Sequence, residues 1–312
     1  MRFVDMHEDF AFSAQKNDVV SSSQQSSLNA LREFEECLVF GSIFPHIGTI
    51  NERSEYLTKM YGSYTGSTAV SVDVMLEQFK LYDYFSRRHD VRIVKNAQDL
   101  LKGGVKFLLS LEGTDVLRDP YDVFLLNDLG LRCIGLTWNY DTKFAASCMS
   151  KKDYGLTGFG SEVIDIANSL GIIVDLAHAS RQTILDVCSV SSRPVLVSHG
   201  NARGLQDHPR NIDDACLDAV ASTNGVVGVT AIVQTLGGSK DINRLVEHAK
   251  YIASSVGWEH VGLGTDFLGI SEVPSGFENI GRMQALSSLL EENSEMVMWS
   301  NPIRVIAANL RG

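Results

Sequence analysis

The segment IIVDLAHASRQTILDVCSVSSRPVLVSHG, residues 172–200, reads as strand, helix, strand, with a histidine where each strand ends. The runs at 172–176 and 195–198 lack clean apolar–polar alternation, as expected of parallel strands buried on both faces. Residues 180–190 between them read as a helix, so the unit is a right-handed strand–helix–strand crossover. Working outward, strand-like runs also lie near 2–6, 37–43, 105–111, 132–137, 226–231 and 261–265, making eight in all. VRIV at 91–94 is strand-like too, so the count could shift by one.

Helical patterns separate the strands. Residues 158–170 carry an apolar stripe at Phe159, Val163, Ile166, Ala167 and Leu170, stopping at Gly171, a natural breaker. Segments 114–129, 212–223 and 240–256 read similarly, and Asp119-Pro120 reads as a helix start with proline in the first turn. Eight strands alternating with helices, and no Gly-x-Gly-x-x-Gly turn, predict a closed (β/α)8 TIM barrel. No linker or internal repeat is visible, so residues 1–312 are expected to form one domain. The serine-rich VVSSSQQSSLN at 19–29 reads as a mobile loop after the first strand. Residues 44–104 hold more chain than one barrel unit needs, including an amphipathic helix around 70–85. Residues 140–154 and 208–214 read as loops after the fourth and sixth strands, where barrels build their active sites.

The chain has 312 residues, 44% hydrophobic and 21% charged, with a formal net charge of −11. That charge argues against a nucleic-acid partner, whose phosphates it would repel. No apolar run approaches the roughly 20 residues of a membrane span, and no signal peptide is seen. Five dispersed cysteines, at 37, 133, 148, 188 and 216, read as reduced thiols and suggest the cytoplasm.

The decisive pattern is where the metal-binding side chain types fall. FVDMHED ends on His7 and Asp9, FLLSLEG on Glu112, IIVDLAH on His178, VLVSHG on His199 and VGLGTDF on Asp266. Imidazoles and carboxylates are natural ligands for zinc-like ions. His7 and Asp9, one residue apart on an extended strand, face the same way, and His178 and His199 end adjacent strands. Glu112 follows a very apolar run, and a buried carboxylate is costly unless paired or bound to metal. Asp266 could be a helix cap, an outer hydrogen-bond acceptor or a general base.

These motifs, taken in order, resemble the membrane (renal) dipeptidase family, whose fold is an amidohydrolase-like TIM barrel. They are Asp5-Met6-His7-Glu8-Asp9, Ser110-Leu111-Glu112-Gly113, Val174-Asp175-Leu176-Ala177-His178-Ala179-Ser180, Ser198-His199, Arg210-Asn211 and Gly262-Leu263-Gly264-Thr265-Asp266-Phe267. GLTGFG at 155–160 matches as well, and 44–104 matches least. The resemblance implies two Zn2+ ions, with His7 and Asp9 on one, His178 and His199 on the other, and Glu112 bridging. It further implies hydrolysis of dipeptides, Asp266 as general acid/base, Arg210 holding the substrate carboxylate, Asn211 also binding substrate, and a homodimer; with no apolar span in the sequence, no membrane anchor is expected.

Two positions depart from the family pattern. Leu136-Thr137-Trp138-Asn139 carries tryptophan where the family often has a histidine contacting the developing tetrahedral oxygen. An indole N–H donates one hydrogen bond but carries no charge and shuttles no proton. Leu268 stands where many relatives have an aspartate. Trp138, counted among the substrate-binding residues, motivates two rival readings: hydrolysis of another amide or a lactone on the same site, or a non-catalytic metal-binding relative. Asp175 reads as a structural polar contact, since three residues place it on the opposite face from His178. His46, His89, His208, His248 and His260 read as surface or loop residues, with His208 in the expected substrate loop.

Overall fold

A computed structural model describes residues 1–15, 17–21, 25–47, 69–70 and 72–311. Its centre is a parallel sheet of β1 (Arg2–Glu8), β2 (Glu36–Ile43), β3 (Gly104–Glu112), β4 (Leu131–Gly135), β5 (Ile173–Asp175), β6 (Leu196–Val197), β7 (Val226–Val229) and β8 (Val261–Leu263). Each strand pairs in parallel with the next in sequence. The seam between β8 and β1 has no ladder of its own. The chain just beyond β8 closes it, with Glu8 bridged to Phe267 and with Asp266 N donating to His7 O and Asp9 N to Phe267 O, both at 3.0 Å. The result is a nearly closed (β/α)8 barrel, as the alternation of runs predicts.

The ninth strand-like run forms, but outside the circuit. Pairing of β4 with β3 begins only at Leu109, so the first half of β3 has an open edge. Arg92–Ile93 takes that edge opposite Lys106 and Phe107.

The helix expected over 158–170 forms with those bounds, and the three expected from 180, 212 and 240 start one or two residues later, because the first polar residue is a cap. Thr157 caps Gly158–Leu170, Ser180 caps Arg181–Val190, Asp213 caps Asp214–Ser222 and Asp241 caps Ile242–Val256, each accepting from backbone N–H groups of the first turn. Gly171 ends its helix at φ 78°, a conformation that favours glycine. The expected helix over 114–129 is shorter, at Asp122–Asp128. Asp119 does not open it: its Oδ1 accepts from Tyr121 N and its carbonyl from Asp122 N, making a turn ahead of the helix. The helix expected around 70–85 spans Val72–Arg88. The serine-rich stretch is not all loop, since Ser27 caps a helical turn at Leu28–Leu31; its residues 22–24 lie outside the described residues, as do 48–68 of the long insertion.

Two apolar layers result. The larger packs outward-facing strand residues such as Phe3, Val39, Phe107 and Leu111 against the helices. The smaller takes Val4, Met6, Leu38, Phe40, Leu108, Cys133, Ile173, Leu196 and Val226 from seven successive strands and closes on Trp299, Val305, Ile306 and Leu310 of the C-terminal segment. Two buried aspartates brace weak seams. Asp5 Oδ1 accepts from Thr265 N at 2.8 Å and Oδ2 from Thr265 Oγ1 at 2.6 Å, across the β8–β1 gap. Asp175 does the same for Ser198 beside β5 and β6, which share a single register pair.

The glycines of VGLGTD allow a close strand approach. A Cβ on Gly264 would lie 1.8 Å from the Ser198 carbonyl oxygen, a backbone atom that cannot step aside. Gly264→Ala is therefore expected to lower the unfolding free energy by about 3 kcal/mol, the upper end for overpacking; urea denaturation checks this, and an unchanged midpoint would contradict it.

Candidate metal centre

Glu112, the last residue of β3, is the hub of the barrel mouth. Its Oε1 lies 2.9 Å from His178 Nε2 and 3.7 Å from His199 Nε2, and its Oε2 lies 3.6 Å from His7 Nε2. His7 Nε2 is also 3.6 Å from Asp9 Oδ2 and 3.6 Å from Asp266 Oδ1. His7, Asp9, Glu112, His178 and His199 are all buried, while the Asp266 side chain keeps 15% exposure. All six strand-end residues singled out in the sequence are thus brought together. Two compact donor sets stand out, His7–Glu112–His199 and His7–Asp9–Asp266, each with its atoms within 4.8 Å. The second includes Asp266, which the sequence reading placed beside the metal and not on it.

Local backbone devices aim these groups. In β1 three residue steps from Asp5 to Glu8 oppose two on β2, a bulge. It leaves Met6 in the inner apolar layer while His7 turns to Glu112. His178 (φ 63°) and Asp266 (φ 64°) sit in left-handed conformations that cost a non-glycine residue energy, a cost tolerated mainly at functional sites.

The donors fit a divalent cation. Among the described residues neither ring nitrogen of His7 nor Asp9 Oδ1 has a hydrogen-bond partner, although all are buried. His178 Nδ1 lies 2.9 Å from Asn139 Oδ1, an acceptor, so the ring proton sits on Nδ1. His199 Nδ1 lies 2.8 Å from Ser198 Oγ, whose own proton goes to Asp175 Oδ2 at 2.5 Å. Both Nε2 atoms are therefore bare, yet they face each other at 3.1 Å beside a carboxylate. Lone pairs so placed repel unless a cation lies among them, and mixed imidazole–carboxylate sets suit zinc.

Electrostatics point the same way. Burial, reinforced by the charge of Arg210, pushes His178 down to about 3, and burial holds His199 well below its usual value. Burial alone would raise Glu112, but the charge of His7 and the adjoining His178 ring outweigh it and hold the carboxyl well below its normal range. Asp266 is pushed well above its normal range by burial, with Asp9 and Glu112 adding like-charge repulsion and His7 opposing.

Arg210, in the loop after β6, is buried, with one guanidinium nitrogen donating to His199 O at 3.0 Å and Nε lacking a hydrogen-bond partner among the described residues. Asn211 is turned into its own loop, donating to Gln206 O and Thr235 O, both at 2.8 Å. Trp138 is buried 6.2 Å from the His178 ring, within a cluster of Phe44, His46 and Tyr140.

The remaining histidines are expected at surface or loop positions; His208 is in its expected loop, though buried, and the expectation fails for His46 and His248. His46 and His208 are buried beside the site, and His248 is fully buried, accepting from Ala202 N and donating to Leu236 O. Histidine burial has no local sequence signature, which is why apolar patterning missed it. Asn139 and Ser198 were also missed as orienting partners, although each adjoins a singled-out residue. Asp175 is the structural polar contact expected of it.

A parallel barrel whose strand ends converge imidazoles and carboxylates has the architecture of metal-dependent, amidohydrolase-like proteins. The family model for membrane dipeptidases (peptidase family M19) matches residues 1–310, and the chain belongs to that family. Two uncharacterized dipeptidases of Schizosaccharomyces pombe are similar in sequence. One is 31% identical over 278 residues, covering 86% of this chain and 68% of the relative. The other is 33% identical over 244 residues, covering 70% and 57%. A crystal structure of a Rhodobacter sphaeroides metallo peptidase, liganded with a phosphinate mimic of the dipeptide L-Ala-D-Ala, has the same fold, with a TM-score of 0.85, 19% identity and 99% of each chain covered. Among the described residues no helix is long and apolar enough to cross a membrane.

The buried histidines make a pH prediction. Burial lowers His248 to about 4, so the unfolded chain takes up this proton first as pH falls below its ordinary value near 6.5. His208 behaves alike, lowered to about 4 by burial and then by Arg210. Stability is expected to fall as pH drops from about 6.5 to about 4, and His248→Gln to flatten that slope. Chemical denaturation across this range checks it; a slope unchanged in the variant would contradict it.

Proposed function

We propose that the chain is a zinc-dependent dipeptidase. In this reading His7 and Asp9 would hold one Zn2+, His178 and His199 would hold a second, and Glu112 would be shared by both. The observation that carries it is the pair of bare Nε2 atoms of His178 and His199, 3.1 Å apart and turned to Glu112. When bound, such ions polarise a carbonyl oxygen and make hydroxide available near neutral pH.

The chain's own residues do the rest. Asp266, held at the mouth and partly exposed, accepts the proton of the attacking water and returns it to the departing amine. Its upward-shifted carboxyl suits a group that must both take and give a proton. Arg210 offers its unpartnered Nε–H to the substrate's terminal carboxylate, with its backbone held by His208 and its other arm by the His199 carbonyl. Asn211 supports that loop from behind. Trp138 forms an apolar wall of the substrate site beside the His178 ring. A homodimeric assembly belongs to the same proposal, and sedimentation velocity checks it.

Trp138 also favours a second reading, in which another amide is cleaved on the same site. A panel of dipeptides against N-acyl amino acids separates the two. Purified protein reconstituted with zinc is expected to hold two ions per chain by elemental analysis and to hydrolyse dipeptides. Protein that holds none and resists loading would contradict the metal assignment. Arg210→Ala is expected to raise KM for dipeptides roughly 10–100-fold, the loss of a charged hydrogen bond; an unchanged KM would overturn the clamp.

A further inference from the structure

One hydrogen-bond chain leads away from the centre with every proton accounted for. Asp175 Oδ1 accepts two backbone N–H groups, from Ala177 at 2.9 Å and from Ser198 at 2.8 Å. Its Oδ2 accepts the Ser198 hydroxyl at 2.5 Å. Backbone N–H groups cannot turn away, so Oδ1 has to be an acceptor. The hydroxyl has one proton and spends it on Oδ2, so Ser198 Oγ shows only lone pairs to His199 Nδ1, 2.8 Å away. The imidazole proton must then sit on Nδ1, which leaves Nε2 bare and turned to Glu112 and His178.

The same brace recurs at Asp5, which accepts from His7 N at 3.2 Å, Thr265 N at 2.8 Å and Thr265 Oγ1 at 2.6 Å. There the hydroxyl oxygen accepts from the backbone N–H of Phe267, at 3.1 Å. Bracing a seam thus requires only an aspartate and a hydroxyl. The addition at Asp175 is a ring nitrogen at the end of the chain. His178 is oriented differently, directly by the Asn139 amide oxygen at 2.9 Å rather than through a hydroxyl.

We infer that Asp175 and Ser198 form a tautomer lock for His199, a carboxylate acting through a hydroxyl to keep Nε2 free of its proton for the metal ion. Both are positioning residues, and the inference rests on the reading that His199 holds a metal. Fixing the tautomer from outside the ligand set is worth roughly 10–100-fold in metal affinity where it has been probed by mutation.

A one-atom change tests it. In Asp175→Asn the two backbone N–H groups keep the amide oxygen at the Oδ1 position, so the amide NH2 falls where Oδ2 was. It donates to Ser198 Oγ, whose O–H, keeping its proton, turns to donate a hydrogen bond to His199 Nδ1, so that the single ring proton resides on Nε2. Zinc titration of the full chain is expected to show one site weakened roughly 10–100-fold and the other changed far less. Asp175→Asn/Ser198→Ala, which lacks the inverted hydroxyl, is expected to recover affinity relative to the single variant. A single variant that binds both ions like the parent would overturn the lock. So would a double variant as weak as the single one.

Nitrogen-15 spectra of the metal-free parent, labelled in histidine and assigned with His199→Gln, read the tautomer with no change to the lock. Nδ1 protonated and Nε2 bare is expected for His199; the reverse overturns the inference. A parent that binds no zinc would refute the metal reading alone, since these spectra still decide the lock.

Discussion

A carboxylate enclosed by imidazoles at the mouth of the barrel sets the terms for everything around it. Glu112 has lost nearly all contact with water, and an ionised group so placed is held only by charge or hydrogen bonds from the protein or a cation. His7, His178 and His199 surround it, yet the last two turn bare nitrogens toward it and toward each other. That arrangement is poor as an ion pair and good as a half-built coordination sphere. Asp9 and Asp266 bring further negative charge close to His7. Excess anionic and lone-pair density in a dry pocket is what a divalent ion neutralises.

The barrel makes that convergence cheap. Five strand ends deliver six side chains to the same face, and the loops need only modest adjustments: a bulge in β1 and left-handed residues at His178 and Asp266. The seams that bear most on the site carry the fewest ladder bonds. Asp5 closes β8 to β1 beside His7, and Asp175 ties Ser198 beside His199. Stability and function therefore share atoms, because the carboxylates that hold the sheet together also fix the backbone or the tautomer of neighbouring donors.

Much of this was legible in the sequence because strand ends are marked by local pattern. Continuous Val/Ile/Leu runs place the eight strands, and a His, Asp or Glu closing five of them marks the centre. Helix starts slip by a residue or two because caps are polar like the loops before them, as at Asp213 and Asp241. Asp119-Pro120 looks like a start and is a turn, since the Asp119 side chain bonds its own neighbourhood. The strand at Arg92–Ile93 is real, but only the late start of the β3–β4 pairing gives it an edge to join. Burial of His46, His208 and His248 depends on which loops pack over them, and no local spacing encodes that. The Asp175–Ser198–His199 chain spans two strands, so its meaning arises only once they are neighbours.

The most direct measurement is a crystal structure of the zinc-loaded protein with anomalous data at the zinc absorption edge. Two peaks about 3.5–4 Å apart are predicted, one between Glu112 and the His7–Asp9 side, the other between Glu112 and the His178–His199 pair. No peak at Glu112, or a single one there at saturating zinc, would contradict the account.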